Sequence, residues 1–355
     1  MRILVLGGSW FLGRALAVQA LGRGWEVTTF NRGRSGGDVP GVRAVRGDRT
    51  VEEDLKRLAD AGSWDAVVDT SSADFAPRRV LAGARALEGV ARRYVYVSTV
   101  NAYAGWPEEP LTEGSPLLDA PPDADDDFGR ERSPAAYYGV QKAGSERAVL
   151  ATFGGARSVI LRPGVILGPE EYVGRLPWWL RRAERGGAIL APGTPEQTIQ
   201  PVDVRDVARF ALDQAATATG GAFNLAAPTG RETMGGLLDA CLHTTGSTGE
   251  LRWVTADFLA GHGVRQWTEL PLWRTAPGAW AVDATAAHTA GLHCRPLSTT
   301  VADTWNWLRA GGRAVEHPRW QDHGISPEKE TAILAAYGLG RSDTGQERFR
   351  RSEGA

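Results

Sequence analysis

Lysine is nearly missing from these 355 residues: only Lys56, Lys142 and Lys329 stand among 40 basic side chains. Cysteine is scarcer still. Cys241 and Cys294 stand alone, with no Cys-x-x-Cys spacing, which excludes a disulfide scaffold and fits a reducing, cytoplasmic setting. No apolar run reaches membrane-spanning length and the N-terminus begins directly with a strand, so neither a membrane span nor a signal peptide is expected. A net charge of −2 with scattered arginines gives no positive field for nucleic acid or anionic lipid. His288, His293 and Cys294 match no metal-site spacing, so no metal is expected. There is no internal repeat. What remains is a chain large enough to bury a full sheet core and a second lobe. Its expected partner is a small molecule, and a homodimer is left open.

The start of the chain is more informative. Arg2 to Leu6 is a short apolar run of the kind a parallel strand buried on both faces needs. Gly7-Gly8-Ser9-Trp10-Phe11-Leu12-Gly13 follows at once, and Arg14 to Leu21 then has helical apolar spacing. Strand, glycine turn and helix in that order form a dinucleotide-binding unit, with a pyrophosphate held at the helix N-terminus. Gly7, Ser9, Trp10, Phe11, Leu12 and Gly13 are therefore candidate cofactor contacts.

A second strand spans Trp25 to Phe30, and Asn31-Arg32-Gly33-Arg34 follows it. An NAD site usually offers a carboxylate here; an amide with two guanidiniums suits the 2′-phosphate of NADP instead. Asn31, Arg32 and Arg34 are assigned to it, with NAD still possible. Further strands are expected at Val42 to Arg46, Ala66 to Asp69, Tyr94 to Ser98, Ser158 to Arg162 and Ala222 to Leu225, with helices between them. This alternation describes an α/β, Rossmann-type doubly wound parallel sheet. Asp48, just past the third strand, is placed either to meet an adenine amino group or to serve as a cap or turn residue.

Tyr138 and Lys142 stand four apart in Tyr137-Tyr138-Gly139-Val140-Gln141-Lys142. In a chain that otherwise uses arginine, this lysine needs a reason. Its ammonium is a compact point charge that can sit under a phenol and lower its pKa from near 10 toward neutrality, making the tyrosine a general acid/base.

These residues together resemble an extended short-chain dehydrogenase/reductase, the superfamily that includes nucleotide-sugar epimerases and dehydratases, from residue 1 to about residue 310. The usual Gly-x-x-Gly-x-x-Gly turn maps to Gly7, Trp10 and Gly13, a less typical form with a large residue at the middle position. Tyr94 to Tyr103 matches the fifth strand, and Thr99 falls on the hydroxyl position. By this resemblance Thr99 and Tyr138 bond the substrate oxygen, while Lys142 holds the nicotinamide ribose. Arg162-Pro163-Gly164-Val165 matches the segment that passes the nicotinamide, Ile199 to Ala208 the return to the sheet, and Gly221 to Leu225 the last strand. Thr70 and Ser98, at the ends of the fourth and fifth strands, join Pro163 among the expected cofactor contacts.

The resemblance implies residues 1–165 and 198–228 as the NADP-binding domain, 166–197 and 229–324 as the substrate lobe, and 325–355 as a helix and polar tail. The helix is expected to be capped by Ser326, with Pro327 first, and to run to Tyr337. Two departures lean away from a nucleotide sugar: Val165 stands where such enzymes carry asparagine, and Thr198-Ile199-Gln200 lacks a basic residue for a diphosphate. Arg175, Arg181, Arg182 and Arg185 are possible substitutes. The lobe is rich in tryptophan, and most of these are expected to be core. One of Trp178 and Trp179, and one from the Trp267 to Trp273 loop, are expected to reach a flat or cyclic substrate. Residues 107–136 form a proline-bearing insert that carries eight carboxylates, and no basic residue, ahead of Arg130, read as a solvated acidic loop or a lid. The expected function is NADP(H)-dependent reduction of a carbonyl or imine in a small organic molecule. The alternatives are a sugar epimerase or dehydratase, and a non-catalytic RNA-binding protein on the same fold.

Overall fold

Ile3, Leu4, Val5 and Leu6 are all buried, as a strand covered on both faces requires. The structure is a computed structural model that describes residues 1–352 apart from 35, 71–74, 218 and 313–322, with backbone alone for 340–352. Its first elements are β1 (Arg2–Leu6), α1 (Phe11–Gly22), β2 (Glu26–Asn31), β3 (Arg43–Arg46), α2 (Glu52–Asp60), β4 (Ala66–Asp69), α3 (Pro77–Leu87) and β5 (Tyr94–Val97). After the acidic insert come α4 (Pro134–Arg157), β6 (Ser158–Pro163), β7 (Val165–Leu167), α5 (Arg175–Glu184), β8 (Ala188–Pro192), β9 (Thr198–Ile199), β10 (Pro201–Asp203), α6 (Val204–Ala216) and β11 (Gly221–Leu225). The remainder is β12 (Glu232–Thr233), α7 (Met234–Thr245), β13 (Glu250–Val254), α8 (Ala256–Gly261), α9 (Thr285–Thr289), α10 (Leu297–Arg309) and α11 (Pro327–Ser352).

The chain divides into two units. The first comprises Met1–Glu170, Gln200–Arg231 and Ala276–Pro296; the second comprises Glu171–Ile199, Glu232–Thr275 and Leu297–Ala355. In the first, seven parallel strands lie in the order β11-β6-β5-β4-β1-β2-β3. Strand order reverses between β1 and β4, and ligands of open α/β sheets bind at the carboxyl ends of the strands at such a switch point. Gly7, Thr70 and Ser98-Thr99 follow β1, β4 and β5 there. Local sequence sets the helix starts. Ser133 caps α4 by accepting from the Ala136 N–H, Pro134 stands at its first turn, and Asp203 caps α6 through the Arg205 N–H.

Residues 276–296, assigned from sequence to the substrate lobe, fold with the first unit. Leu111 exchanges backbone bonds with Ala281 and Asp283, and the Gln200 side chain joins the Val282 backbone at both ends of its amide. Trp280 goes with them. The second unit carries a parallel β8–β13 pair and helices α5, α7, α8, α10 and α11. Ser326 caps α11 as expected, accepting from the Lys329 N–H, but the helix continues past Tyr337 to Ser352. No proline follows Pro327, and a helical glycine costs only about 1 kcal/mol. Among the described residues, no helix is long and apolar enough to cross a membrane, and no group of His, Cys, Asp and Glu could hold a metal ion.

Candidate active site

Positive φ values of 111° at Gly7 and 93° at Gly8 turn the chain sharply out of β1, a conformation that costs glycine nothing. Space is as tight as geometry. A Cβ on Gly8 would lie 2.5 Å from the Thr29 methyl, and one on Gly13 would lie 2.6 Å from the Gly8 nitrogen and 2.9 Å from the Thr70 hydroxyl. Trp10 occupies the N-cap of α1 in extended conformation without a capping side-chain bond, and the first turn holds no acidic residue. The turn is thus a close-packed cradle at an uncapped, positively polarised helix end, and it fits a pyrophosphate. Phe11 takes the strain at φ 36°, and Leu12 is buried. Ser9 is half-buried in the same turn. The Thr70 hydroxyl donates to the Leu6 carbonyl at 3.0 Å, tying the ends of β4 and β1 together.

At the end of β2 the Asn31 amide donates to the Gly7 carbonyl and accepts from the Gly33 N–H and from Arg46. Arg46 also pairs with Asp38, which holds that carboxyl below its usual range through the Arg46 hydrogen bond. Arg32 and Arg34 remain exposed on the following turn, with Arg32 3.9 Å from Asp48. Asp48 itself accepts from the Thr50 N–H and hydroxyl, bonds that lower its pKa. It therefore serves as a turn residue.

Tyr138 is half-buried on α4, and Lys142 is buried one turn further on. The Lys142 ammonium donates to the Val97 carbonyl at 2.6 Å and lies 4.4 Å from the centroid of the Tyr96 ring. Burial drives its pKa below the ordinary lysine value, against the opposing pull of Tyr138, Asp69 and Glu146. Thr99 closes the end of β5, its hydroxyl accepting from the Asn101 N–H and lying 3.2 Å from the Asn101 side-chain oxygen. Gly139 permits α4 to approach this segment, since a Cβ there would stand 2.1 Å from the Asn101 carbonyl oxygen. Gly139→Ala should therefore destabilise the fold by about 1–3 kcal/mol, as overpacking does, and push Tyr138 away from Thr99. Denaturant midpoints and reaction rates measure the two effects separately.

Ser98 looks inward. Its hydroxyl donates to Glu146, which also takes paired bonds from Arg162, and Arg162 donates to the Tyr103 phenol. Tyr103 in turn donates to Asn224. Pro163 ends β6 beside this network, buried. The sequence reading missed Glu146, whose helical spacing from Tyr138 and Lys142 was the available signal; Arg162 was named only for the segment that passes the nicotinamide. The acidic insert is fastened to the same helix: the Tyr137 hydroxyl donates to the Asp126 carbonyl at 2.7 Å, and the Gln141 amide to Asp125 and Phe128 carbonyls. Most of its carboxylates face water.

In the second unit Trp179 and Trp273 are fully buried, and the Trp179 indole donates to the Pro271 carbonyl at 2.7 Å. These two are core of that unit. Trp178 and Trp267 are half-buried; Arg175 and Arg274 lie 4.7 and 4.2 Å from the Trp267 ring.

Known proteins extend this description. The chain is 33% identical over 200 residues to the 2′-dehydrokanamycin reductase of Streptomyces kanamyceticus, covering 54% of this chain and 51% of that protein. It is 30% identical over 228 residues to the 2-alkyl-3-oxoalkanoate reductase of Stenotrophomonas maltophilia (strain K279a), covering 59% and 64%. The matches thus span about half to two thirds of those relatives' lengths. Among solved structures, the Bordetella bronchiseptica enzyme WbmG in complex with NAD and UDP superposes with a TM-score of 0.66 at 19% identity, covering 88% of this chain and 96% of that one. A UDP-glucose 4-epimerase of Thermotoga maritima with UDP-glucose gives 0.64 at 19%, covering 88% and 99%, a likeness of fold. Residues 3–226, from the first strand through the last sheet strand, match the NAD dependent epimerase/dehydratase family, and the chain belongs to that family.

Proposed function

We propose that this chain is an NADP(H)-dependent oxidoreductase that reduces a carbonyl or imine of a small organic molecule, or runs the reverse oxidation. The observation that carries the reading is the buried Lys142 one helical turn from the partly accessible Tyr138, with Thr99 at the neighbouring strand end. Two curated relatives are reductases by name, which favours net reduction over epimerisation.

The glycine cradle and α1 N-terminus would hold the pyrophosphate, and Arg32 with Arg34 the 2′-phosphate. The bound dinucleotide supplies the hydride. Thr99 and Tyr138 orient the substrate oxygen, and Tyr138 gives its phenolic proton to that oxygen as negative charge develops on it. Lys142 stabilises the phenolate left behind and the ribose beside it. The water-facing carboxylates of the insert favour neutral or cationic substrates over anionic ones.

A thermal-shift panel of NADP, NAD and nucleotide sugars tests the reading, because a ligand that binds only the folded state raises Tm by mass action. NADP should give the largest shift; a nucleotide sugar exceeding it would favour the epimerase reading. Arg32→Ala should weaken NADP by about 1.5–3 kcal/mol, the range for hydrogen bonds to charged groups, and NAD far less. Equal losses for both cofactors would remove the 2′-phosphate assignment.

A further inference from the structure

Asp69 is a charged residue at the end of β4, a strand otherwise made of Ala66, Val67 and Val68, and it is completely buried. A lone carboxylate could not stay ionised there. Arg49, itself buried, grips it with two bonds of 2.8 and 2.9 Å, and the buried Tyr94 hydroxyl donates to it at 2.7 Å. The guanidinium also lies 5.2 Å from the Phe75 ring centroid. Burial works against the Asp69 charge, but the Arg49 charge and the hydrogen bonds from Arg49 and Tyr94 hold the carboxyl below its usual range. It is a fixed negative charge inside the protein.

What this charge faces gives it a use. Asp69 and Tyr96 are direct partners across β4 and β5, and the Tyr96 ring carries the Lys142 ammonium. The charged and titratable groups around Lys142 are Tyr138 and Glu146 on α4, Asp69 on β4, Tyr96 on β5 and Arg49 on the segment after β3. Glu146, on Lys142's own helix and paired with Arg162 and Ser98, adds a smaller pull than Asp69. The geometry points to Asp69, braced by Arg49 and Tyr94, as the buried counter-ion that keeps Lys142 charged beside Tyr138. Asp69 is a positioning residue: it touches neither substrate nor cofactor and acts on Lys142 through space. The inference rests on Lys142 being the catalytic lysine, but its test needs no substrate.

The chain's three lysines make that test direct. Protein labelled with ¹³C,¹⁵N-lysine is titrated by NMR, and the Lys142 signal is assigned by its loss in Lys142→Arg. In Asp69→Asn the Lys142 midpoint should fall by about one pH unit or more, the scale of a nearby opposite charge, while Lys56 and Lys329 stay in place. Tyr94→Phe keeps the ion pair and should leave the midpoint within a few tenths of a unit, on the order expected for a lost neutral donor. Should Asp69→Asn not fold, the double variant Arg49→Met/Asp69→Leu removes both charges without leaving either one unpaired, and it too should lower the midpoint, by less. With a substrate in hand, the alkaline limb of the rate profile should move down with the midpoint. An unmoved Lys142 midpoint in Asp69→Asn, or in the double variant should Asp69→Asn not fold, overturns the inference. Loss of the hydride-transfer reading would appear instead as full activity in Tyr138→Phe.

Discussion

Tyr138→Phe is expected to lower turnover by about 10²- to 10⁴-fold, the usual contribution of a general acid/base group, with fold and dinucleotide affinity nearly unchanged. Only the phenolic oxygen is lost, and the half-buried ring stays where it is. Lys142→Arg is the sharper probe. It keeps the charge, yet a planar guanidinium cannot occupy the position from which the ammonium reaches the Val97 carbonyl at 2.6 Å over the Tyr96 ring. Most activity should disappear and the pH optimum should move. Tyr137 provides the contrast, because its hydroxyl is spent on the Asp126 carbonyl. Tyr137→Phe should loosen the insert and cost about 0.5–1.5 kcal/mol of stability, the worth of one hydrogen bond, with a much smaller rate loss. Single-turnover hydride transfer on all three variants decides the matter: an inactive Tyr137→Phe beside an active Tyr138→Phe would transfer the acid/base role to the other ring.

The second large effect is on stability. Arg162→Met should destabilise the protein by about 3–5 kcal/mol, because it leaves the Glu146 carboxylate buried with its charge uncompensated. Arg162 and Glu146 are both buried in the resting fold. The double variant Arg162→Met/Glu146→Leu should recover much of the loss, since replacing a whole buried pair by apolar groups is often near neutral. Urea denaturation of the two variants gives the comparison. If the single variant melts like the parent, the pair contributes nothing to the fold.

These two predictions differ in how far the sequence announced them. The strands were legible because a sheet covered on both faces demands short apolar runs: Ala66 to Asp69 is bounded as read, and Tyr94, Ser158 and Gly221 open their strands within a residue of the expected start. Tyr138 and Lys142 were legible because both lie on one helix, where spacing alone brings side chains together. Arg49 with Asp69 and Arg162 with Glu146 were not, since these pairs join different elements and sequence patterns do not say which of 40 basic residues is buried. For Asp69 the signal was a carboxylate closing the apolar run Ala66-Val67-Val68; Glu146 lies between Ser145 and Arg147, and only its helical spacing from Lys142 marks it. The start of α1 at Phe11 was missed for a local reason: Trp10 stands at the N-cap, where the sequence carries none of the usual capping side chains. Residues 276–296 were assigned to the other lobe because they follow it in the chain, whereas backbone pairing with Leu111 and the Gln200 amide draws them to the sheet.

The scarcity of lysine has a practical side. Lys142 is buried, Lys329 is half-buried and bound to Glu269 and the Gly263 carbonyl, and Lys56 stands exposed on α2. Lys56 is therefore the most open side-chain amine to an amine-reactive dye or resin, and it lies on a helix apart from the Tyr138 stripe. Molecules coupled through Lys56 would share one point of attachment, on α2 and away from the Tyr138 stripe.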